Sequence, residues 1–161
     1  MFNWLKKQVT AEVYGHQMWL YCCDISETFC KNVGPHLEAA GFIHNANTNQ
    51  VFAEETMMLH LWIISRSLGM NDRKVLDALH NHTHGLTNIR DRYVLYDREN
   101  EKDIEMLRKG LTPMGLAEAF LRHVGNKPTG ADVIVEKAAI QLEIFDTFKL
   151  IKQKREQVKI L

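Results

Sequence analysis

Three histidines at alternating positions form the most obvious group of metal-type ligands in this sequence. They are His80, His82 and His84, in the segment HNHTHG. Alternating side chains project to one side of an extended segment but scatter around a helix, so a shared site requires the preceding helix to end near Leu79. Neutral imidazole suits zinc and other transition metals, and two of these histidines with a carboxylate would supply ligands. A structural interpretation is also open, because histidines at a helix C-terminus interact favourably with its carbonyls and dipole.

The cysteines offer less chemistry. Cys22, Cys23 and Cys30 share one predicted helix and form no CxxC pair, which favours free thiols in a reducing, cytosolic compartment. Neighbours in the set His16, Cys23 and Cys30 lie two helical turns apart, roughly 10 Å along the axis, which is too far to ligate one ion. The sequence contains neither a GxSxG motif nor a P-loop. We therefore predict no catalytic residue and no obligatory cofactor, with a transition metal as the alternative.

The segment Glu54–Leu68, EETMMLHLWIISRSL, is the most apolar part of the chain. Every residue in Met57–Ile64 is apolar except His60. A helix that is apolar on all faces must be buried on all sides, so this segment is predicted to lie at the centre of the fold. His60 and Arg66 are polar groups that a packed helix does not require, and we consider them candidates for a functional role.

The spacing of apolar residues predicts an all-α fold. They recur at three- and four-residue intervals along almost the whole chain, without sustained alternation, which favours a single-domain bundle of about five to seven helices over residues 1–161. Gly34-Pro35 is expected to end the first helix and to open a short turn that stops at Gly41. The polar segment Asn45–Gln50 is predicted to be a loop, and Ile104 and Leu107 to face inward. The predicted helices are Thr10–Asn32, Val51–Leu68, one capped by Asn71 or Asp72, Glu99–Lys109, Met114–Val124 and Ala131–Gln157.

Charges are balanced overall but unevenly placed. Lysine plus arginine and aspartate plus glutamate number 20 each, so no net field would attract nucleic acid, and no nucleic-acid partner is expected. Residues 149–161 carry five cations against Glu156, a local net charge of +4. This pattern predicts a basic helix end that the helix dipole favours, with an acidic partner or membrane surface as the alternative.

Residues 1–9 have the composition of an amphipathic segment, in which two lysines accompany Phe2, Trp4, Leu5 and Val9. Such a segment either packs against the bundle or contacts a membrane interface. MFNWLKKQV lacks the apolar core of a signal peptide, and the stretch Thr56–Ser65 has about half of the roughly 20 residues that span a bilayer. We expect a cytoplasmic protein, with peripheral membrane contact as the alternative.

Several helical segments together make this chain similar to a known family. They are Leu20-Tyr21 in the first helix, FAEETMMLHLWIISRSL from Phe52, GLAEAFLR over Gly115–Arg122, and a final helix entered through an acidic loop. With these segments, about half of its length, the chain resembles the ubiquinol–cytochrome c reductase assembly chaperones, small all-helical proteins of bacteria and mitochondria. It departs from their pattern after the LHLW helix, where HNHTHG replaces an acidic, arginine-bearing segment.

The resemblance implies a non-enzymatic factor that binds a protein partner, such as nascent cytochrome b or another respiratory-complex subunit. Binding would use an apolar groove between helices. The residues predicted to line this groove are Trp19, Met58, His60, Trp62 and Arg66. Two other interpretations stay open: a metal- or small-ligand-binding helical protein, with or without enzymatic activity, that uses the three histidines of HNHTHG, and a homodimeric structural bundle.

Overall fold

The computed structural model describes residues 7–69, 72–125 and 133–161. The helices within these ranges confirm the predicted all-α bundle. Some sequence predictions fall on residues outside the described ranges, namely Asn71, Ala131, Phe2, Trp4 and Leu5. The described elements are β1 Lys7–Val9, α1 Ala11–Ala39, α2 Ala46–Leu68, α3 Arg73–His80, α4 Ile89–Arg108, α5 Gly115–Gly125, α6 Ile134–Glu156 and β2 Val158–Ile160.

Helix α2 lies at the centre of the core, as its composition predicts. No residue in Met58–Ile64 is more than 5% exposed, and Met57, just before them, is half-buried. The helix contacts α1, α4, α5 and α6. A helix that is apolar on all faces is stable only where each face packs against another element, and these four helices surround α2.

The prediction that Gly34-Pro35 ends the first helix is wrong, because α1 continues to Ala39. A proline inside a helix costs about 3 kcal/mol. The added turn buries Leu37 completely, and burying a leucine contributes about 1.5–3 kcal/mol, which offsets between half and all of that cost. Gly41, at φ 76°, then stops the helix as predicted, and the Phe42 N–H donates to the Leu37 carbonyl at 2.8 Å, as in a Schellman cap.

The segment Asn45–Gln50 is the cap and first turn of α2 and not the predicted loop. The Thr48 N–H donates to the Asn45 side-chain oxygen at 2.9 Å, and the Asn45 N–H donates to Thr48 Oγ1 at 3.1 Å. This reciprocal capping box satisfies two backbone groups that have no partner inside the helix. The polar residues that suggest a turn therefore start a helix.

Helix α4 begins at Ile89, well before the predicted start at Glu99, and it turns a different face to the core. Ile104 and Leu107 are 40% and 50% exposed, so the prediction that they face inward is wrong. The helix buries Tyr96 and Asp103 in their place. These two residues share a helical face because seven residues correspond to about two turns.

Asp103 is only 1% exposed and holds the start of α5. Its carboxylate accepts hydrogen bonds from the Gly115 N–H at 2.7 Å and the Leu116 N–H at 3.0 Å. The Gln141 side-chain amide of α6 donates to the same carboxylate at 3.0 Å, while its oxygen accepts from the Ala117 N–H at 3.1 Å. One buried carboxylate thereby joins α4, α5 and α6, and its charge is favoured by the dipole at the N-terminus of α5.

Strands β1 and β2 form a two-stranded parallel sheet that the sequence does not predict. Lys7 pairs with Val158, and the Leu161 N–H donates to the Val9 carbonyl at 3.0 Å. Three-residue strands are too short to show alternating hydrophobicity. Within the basic residues 149–161 the helix ends at Glu156, and the rest is largely strand. None of the described helices combines the length and apolar character that crossing a bilayer requires.

Candidate functional site

The five predicted groove residues are divided between the core and the surface. Trp62, His60 and Met58 are 0%, 1% and 5% exposed. Trp19 is partly buried, and the Arg66 side chain is 47% exposed. His60 and Trp62 contact side chains of other helices. The assignment of all three buried residues to a partner-binding groove stays a prediction.

Asp97 of α4 joins Trp62 and Arg66 of α2. Its Oδ1 accepts from Trp62 Nε1 at 2.9 Å and from Arg66 Nε at 2.6 Å, and a second guanidinium nitrogen donates to Oδ2. A core indole and a surface guanidinium one turn apart therefore share one carboxylate. Sequence reasoning missed Asp97, since it lies 31 residues from Arg66 and no local pattern marks it.

His60 belongs to a buried polar cluster with α1. Its Nδ1 forms a hydrogen bond with Ser26 Oγ at 2.9 Å, and the edge of Phe29 packs against its ring at 5.5 Å between centroids. A serine–histidine pair can act as an activated nucleophile. Ser26, however, is only 4% exposed, so substrate has no access to it, and the bond satisfies two buried polar groups. Burial also lowers the pKa of His60 to about 3 and raises the pKa of the neighbouring Cys22 thiol.

Protonation of His60 should make the protein less stable at low pH. Between pH 6.5 and pH 5 it should lower the free energy of unfolding by about 2 kcal/mol, since a full proton difference changes this free energy by about 1.36 kcal/mol per pH unit. Its pKa is lower in the folded protein than its ordinary 6.5, so the unfolded chain binds the additional proton. Stability from this group is therefore complete above pH 6.5 and declines as the pH falls toward about 3. Urea unfolding of the wild type and His60→Gln at both pH values measures the difference.

The matched control for this pH effect is His84→Gln, since His84 is exposed. It should retain the wild-type loss of stability between the two pH values, whereas His60→Gln should lose about 2 kcal/mol less than the wild type. Equal losses in all three proteins would contradict the assignment to His60.

The three histidines of HNHTHG have separate surroundings. His80 Nδ1 donates to the Leu76 carbonyl at 2.8 Å, and its Nε2 lies 3.1 Å from the Tyr93 hydroxyl, so both ring nitrogens are engaged. His82 and His84 are exposed. In the part of the chain that the structure describes, no three histidine, cysteine or acidic side chains lie close enough together to hold a metal ion. The three histidines are therefore not assembled into one ligand set.

His82 contacts a histidine from another element. His16 of α1 and His82 approach with Nδ1 and Nε2 3.3 Å apart, and Trp19 stacks on the His82 ring at 5.8 Å between centroids and an angle of 17°. His16 lies 66 residues from His82, so the local sequence gives no sign of the pair. The stacking brings together Trp19, which is predicted to line the groove, and His82, which is predicted to bind a metal.

Helix α6 carries apolar residues on two faces. Ile140, Ile144 and Ile151 are buried in the core. On the opposite side, a set of exposed residues has the spacing of one helical face, and we name it the outer row: Val135, Ala138, Ala139 and Leu142. Its two large members, Val135 and Leu142, are 76% and 62% exposed. An apolar face thus meets solvent where a helix of ordinary amphipathicity carries charge.

A surface cavity of about 390 Å³ lies between the end of α1 and the start of α2. It is lined by mixed polar and apolar groups that include Cys30, Glu38, His44 and Asn49. Burial raises the pKa of the Cys30 thiol, and a protonated thiol is a poor nucleophile and metal ligand. The thiol that lines this cavity is therefore not activated for covalent chemistry.

No family model, curated protein or solved structure matches this chain. The similarity to ubiquinol–cytochrome c reductase assembly chaperones thus depends on the sequence segments alone. The function of this protein has to be inferred from its own side chains and their contacts.

Proposed function

We propose that this chain is a non-enzymatic interaction protein whose outer row on α6 binds an apolar helical segment of a partner protein. The supporting observation is the exposure of Val135 and Leu142, at 76% and 62%, on a helix whose other face is already in the core. Contiguous exposed apolar patches mark interaction surfaces, whereas single exposed apolar side chains are normal. Covering the outer row would bury the second apolar face of α6.

The shape of the outer row suits a helix. Ala138 and Ala139 lie between the larger Val135 and Leu142, so a partner backbone can approach closely at the centre of the row. Side chains of a second helix then fit between the flanking valine and leucine, as ridges fit into grooves. The row extends about 10 Å along the axis, which matches two turns of a partner helix.

The small size of the outer row favours a transient partner over a second copy of this chain. Stable interfaces bury about 800 Å² on each partner and use 20–30 residues a side. A row of four residues supplies only a small part of such an area. Brief binding of a client segment needs less area, as in the assembly of a larger complex.

Charges next to the outer row favour a protein over a lipid surface. Glu143 and Asp146 are exposed and are the charged residues that directly follow Leu142, ahead of the cations that begin at Lys149. Carboxylates are repelled by anionic headgroups, whereas lysine and arginine are attracted to them. A partner segment with apolar residues followed by cations would complement both the row and these acids.

The sequence resemblance adds a finer proposal, that the partner is a subunit or assembly factor of a membrane respiratory complex, with nascent cytochrome b as one candidate. In this proposal Met58, His60 and Trp62 belong to the buried interior and do not contact the partner. Trp19 and Arg66, which reach the surface, remain candidates for additional contacts.

Replacing Leu142 with lysine should reduce recovery of respiratory-complex subunits from solubilised membranes at least about tenfold, which corresponds to about 1.4 kcal/mol of binding free energy. The lysine places a charge in the centre of the apolar contact. Quantitative mass spectrometry of affinity-purified wild type and variant measures the ratio. The matched control is Val94→Lys, because Val94 is also 62% exposed but lies on α4.

Circular dichroism should show both lysine variants folded, since surface substitutions usually change stability by about 0.5 kcal/mol or less. A loss of recovery that is equal in Val94→Lys and Leu142→Lys would contradict the assignment to the outer row. Failure to recover any respiratory subunit, where a known assembly chaperone succeeds, would contradict the finer proposal. Light scattering that shows a dimer lost only in Leu142→Lys would identify a second copy as the occupant and overturn the proposal of a separate partner.

A further inference from the structure

We propose that His16 and His82 chelate one divalent transition-metal ion, of the class Zn²⁺, Cu²⁺ or Ni²⁺. The site lies on the surface, where α1 meets the turn that follows α3. It differs from the ligand set predicted from HNHTHG, because one of its histidines comes from a distant helix. It is also independent of the proposed protein-binding function, since the outer row belongs to α6.

The distance between the two imidazole nitrogens carries this inference. Nδ1 of His16 and Nε2 of His82 lie 3.3 Å apart. At this distance one imidazole can donate a hydrogen bond to the other, slightly beyond the range of about 2.7–3.2 Å that is usual for N–H···O bonds. Zinc–nitrogen bonds of about 2.0–2.1 Å at a tetrahedral angle place two ligand nitrogens about 3.3–3.4 Å apart. The pair already has the separation of two ligands on one tetrahedral ion.

Close packing of α1 against α3 fixes this separation. A Cβ atom added to Gly15, the residue before His16, would lie 2.6 Å from Ala78 Cβ and 2.8 Å from the Val75 carbonyl oxygen. Only glycine allows the two helices to approach so closely. The backbones that carry the two histidines are therefore held together by the fold.

The turn that carries His82 is hydrogen-bonded to the end of α3. Thr83 is 8% exposed, and its hydroxyl donates to the His80 carbonyl at 2.8 Å. The His82 N–H donates to the Leu79 carbonyl at 3.2 Å. Trp19 then holds the His82 ring by stacking on its face. A ligand that is ordered before binding loses less entropy when the ion binds.

The chemistry of the pair selects the class of ion. Two imidazoles suit zinc, copper and nickel, whereas Mg²⁺ and Ca²⁺ prefer oxygen ligands. Both histidines are exposed, so an ion can enter from solvent and water can fill its remaining positions. An ion that binds only the folded chain would stabilise it by linking α1 to the end of α3.

Isothermal titration of protein without a histidine tag with ZnCl₂ should give saturable binding of one ion per chain. His16→Gln and His82→Gln should each weaken the affinity at least about tenfold, since losing even an outer-shell contact costs about 10–100-fold. His84→Gln, two residues from His82 and also exposed, is the matched control and should bind as the wild type does. Zinc should also raise the melting temperature of the wild type and of His84→Gln, but not of the other two variants.

Three results would overturn the assignment: no saturable zinc or copper binding to folded wild type, a loss in His84→Gln equal to that in His82→Gln, or unchanged affinity in the His16→Gln His82→Gln double variant. Circular dichroism of the metal-free variants shows whether they fold. If the glutamine variants unfold, modification of wild-type histidines with diethylpyrocarbonate provides the same test, because bound zinc should protect His16 and His82 but not His84.

Discussion

Asp103→Ala is expected to lower the free energy of unfolding by about 3–5 kcal/mol. The substitution removes the acceptor for the Gly115 and Leu116 N–H groups and for the Gln141 amide, all at the buried start of α5. Each buried donor left without a partner costs about 1–3 kcal/mol. Urea unfolding monitored by circular dichroism measures the loss, which should appear as a lower midpoint with little change in slope.

The control for Asp103 is Glu105→Ala on the same helix. Glu105 pairs with Lys109 at 2.6 Å, but both side chains are more than 60% exposed, so the substitution should change stability by less than about 1 kcal/mol. Asp103→Asn keeps one acceptor oxygen and should fall between the two. A loss from Asp103→Ala no greater than that from Glu105→Ala would show that α5 does not depend on this cap.

Trp62→Ala should also cost about 3–5 kcal/mol, the usual range for removing a large aromatic side chain from a core. The indole is fully buried, and its ring centroid lies 5.5 Å from that of Tyr96 and 5.4 Å from that of Phe148. Its loss leaves a cavity between α2, α4 and α6 and removes a hydrogen bond to Asp97. Thermal and urea unfolding of the same variant should agree on the loss.

A graded series separates the packing of Trp62 from its hydrogen bond. Trp62→Phe keeps a ring in the core but no N–H donor, and it should cost about 1–2 kcal/mol. Arg66→Ala removes the other partner of Asp97, but at the surface, and it should cost less than about 1 kcal/mol. If Trp62→Ala left stability intact and abolished partner binding, Trp62 would line the predicted groove and not the core.

The centre of the fold could be predicted from sequence because its signal is local. The segment Met57–Ile64 is apolar on all helical faces, and any fold must bury such a helix. Gly41 likewise stops α1 because its backbone conformation is a property of one residue and its immediate neighbours. Patterns within a few turns of chain are enough for both conclusions.

The errors arise where partners distant in sequence override local patterns. Ile104 and Leu107 have helical spacing, yet α4 turns Asp103 inward because the start of α5 needs an acceptor there. Pro35 signals a helix end, but the burial of Leu37 keeps the helix intact. Nothing near these residues in sequence shows which helix will pack against them.

The candidate sites illustrate the same limit. His60 and Arg66 can be recognised from sequence as polar residues on a buried helix, but their partners, Ser26 and Asp97, lie on other helices. Each of His16 and His82 can be recognised from sequence as a potential metal ligand. The 3.3 Å distance between their ring nitrogens, however, is a property of the fold. The sequence therefore identifies residues whose type is atypical for their position, and the structure identifies the side chains that they contact.

The pairing of β1 with β2 also constrains the order in which the parts of the chain can fold. Residues 7–9 hydrogen-bond with residues 158–160, so nearly the whole described chain lies between the two strands. Closing such a long loop costs entropy that contacts near in sequence do not incur. During translation from the amino end, the first strand has no partner until residue 160 has left the ribosome. The helices can associate earlier, and the sheet can form only after α6 has been synthesised.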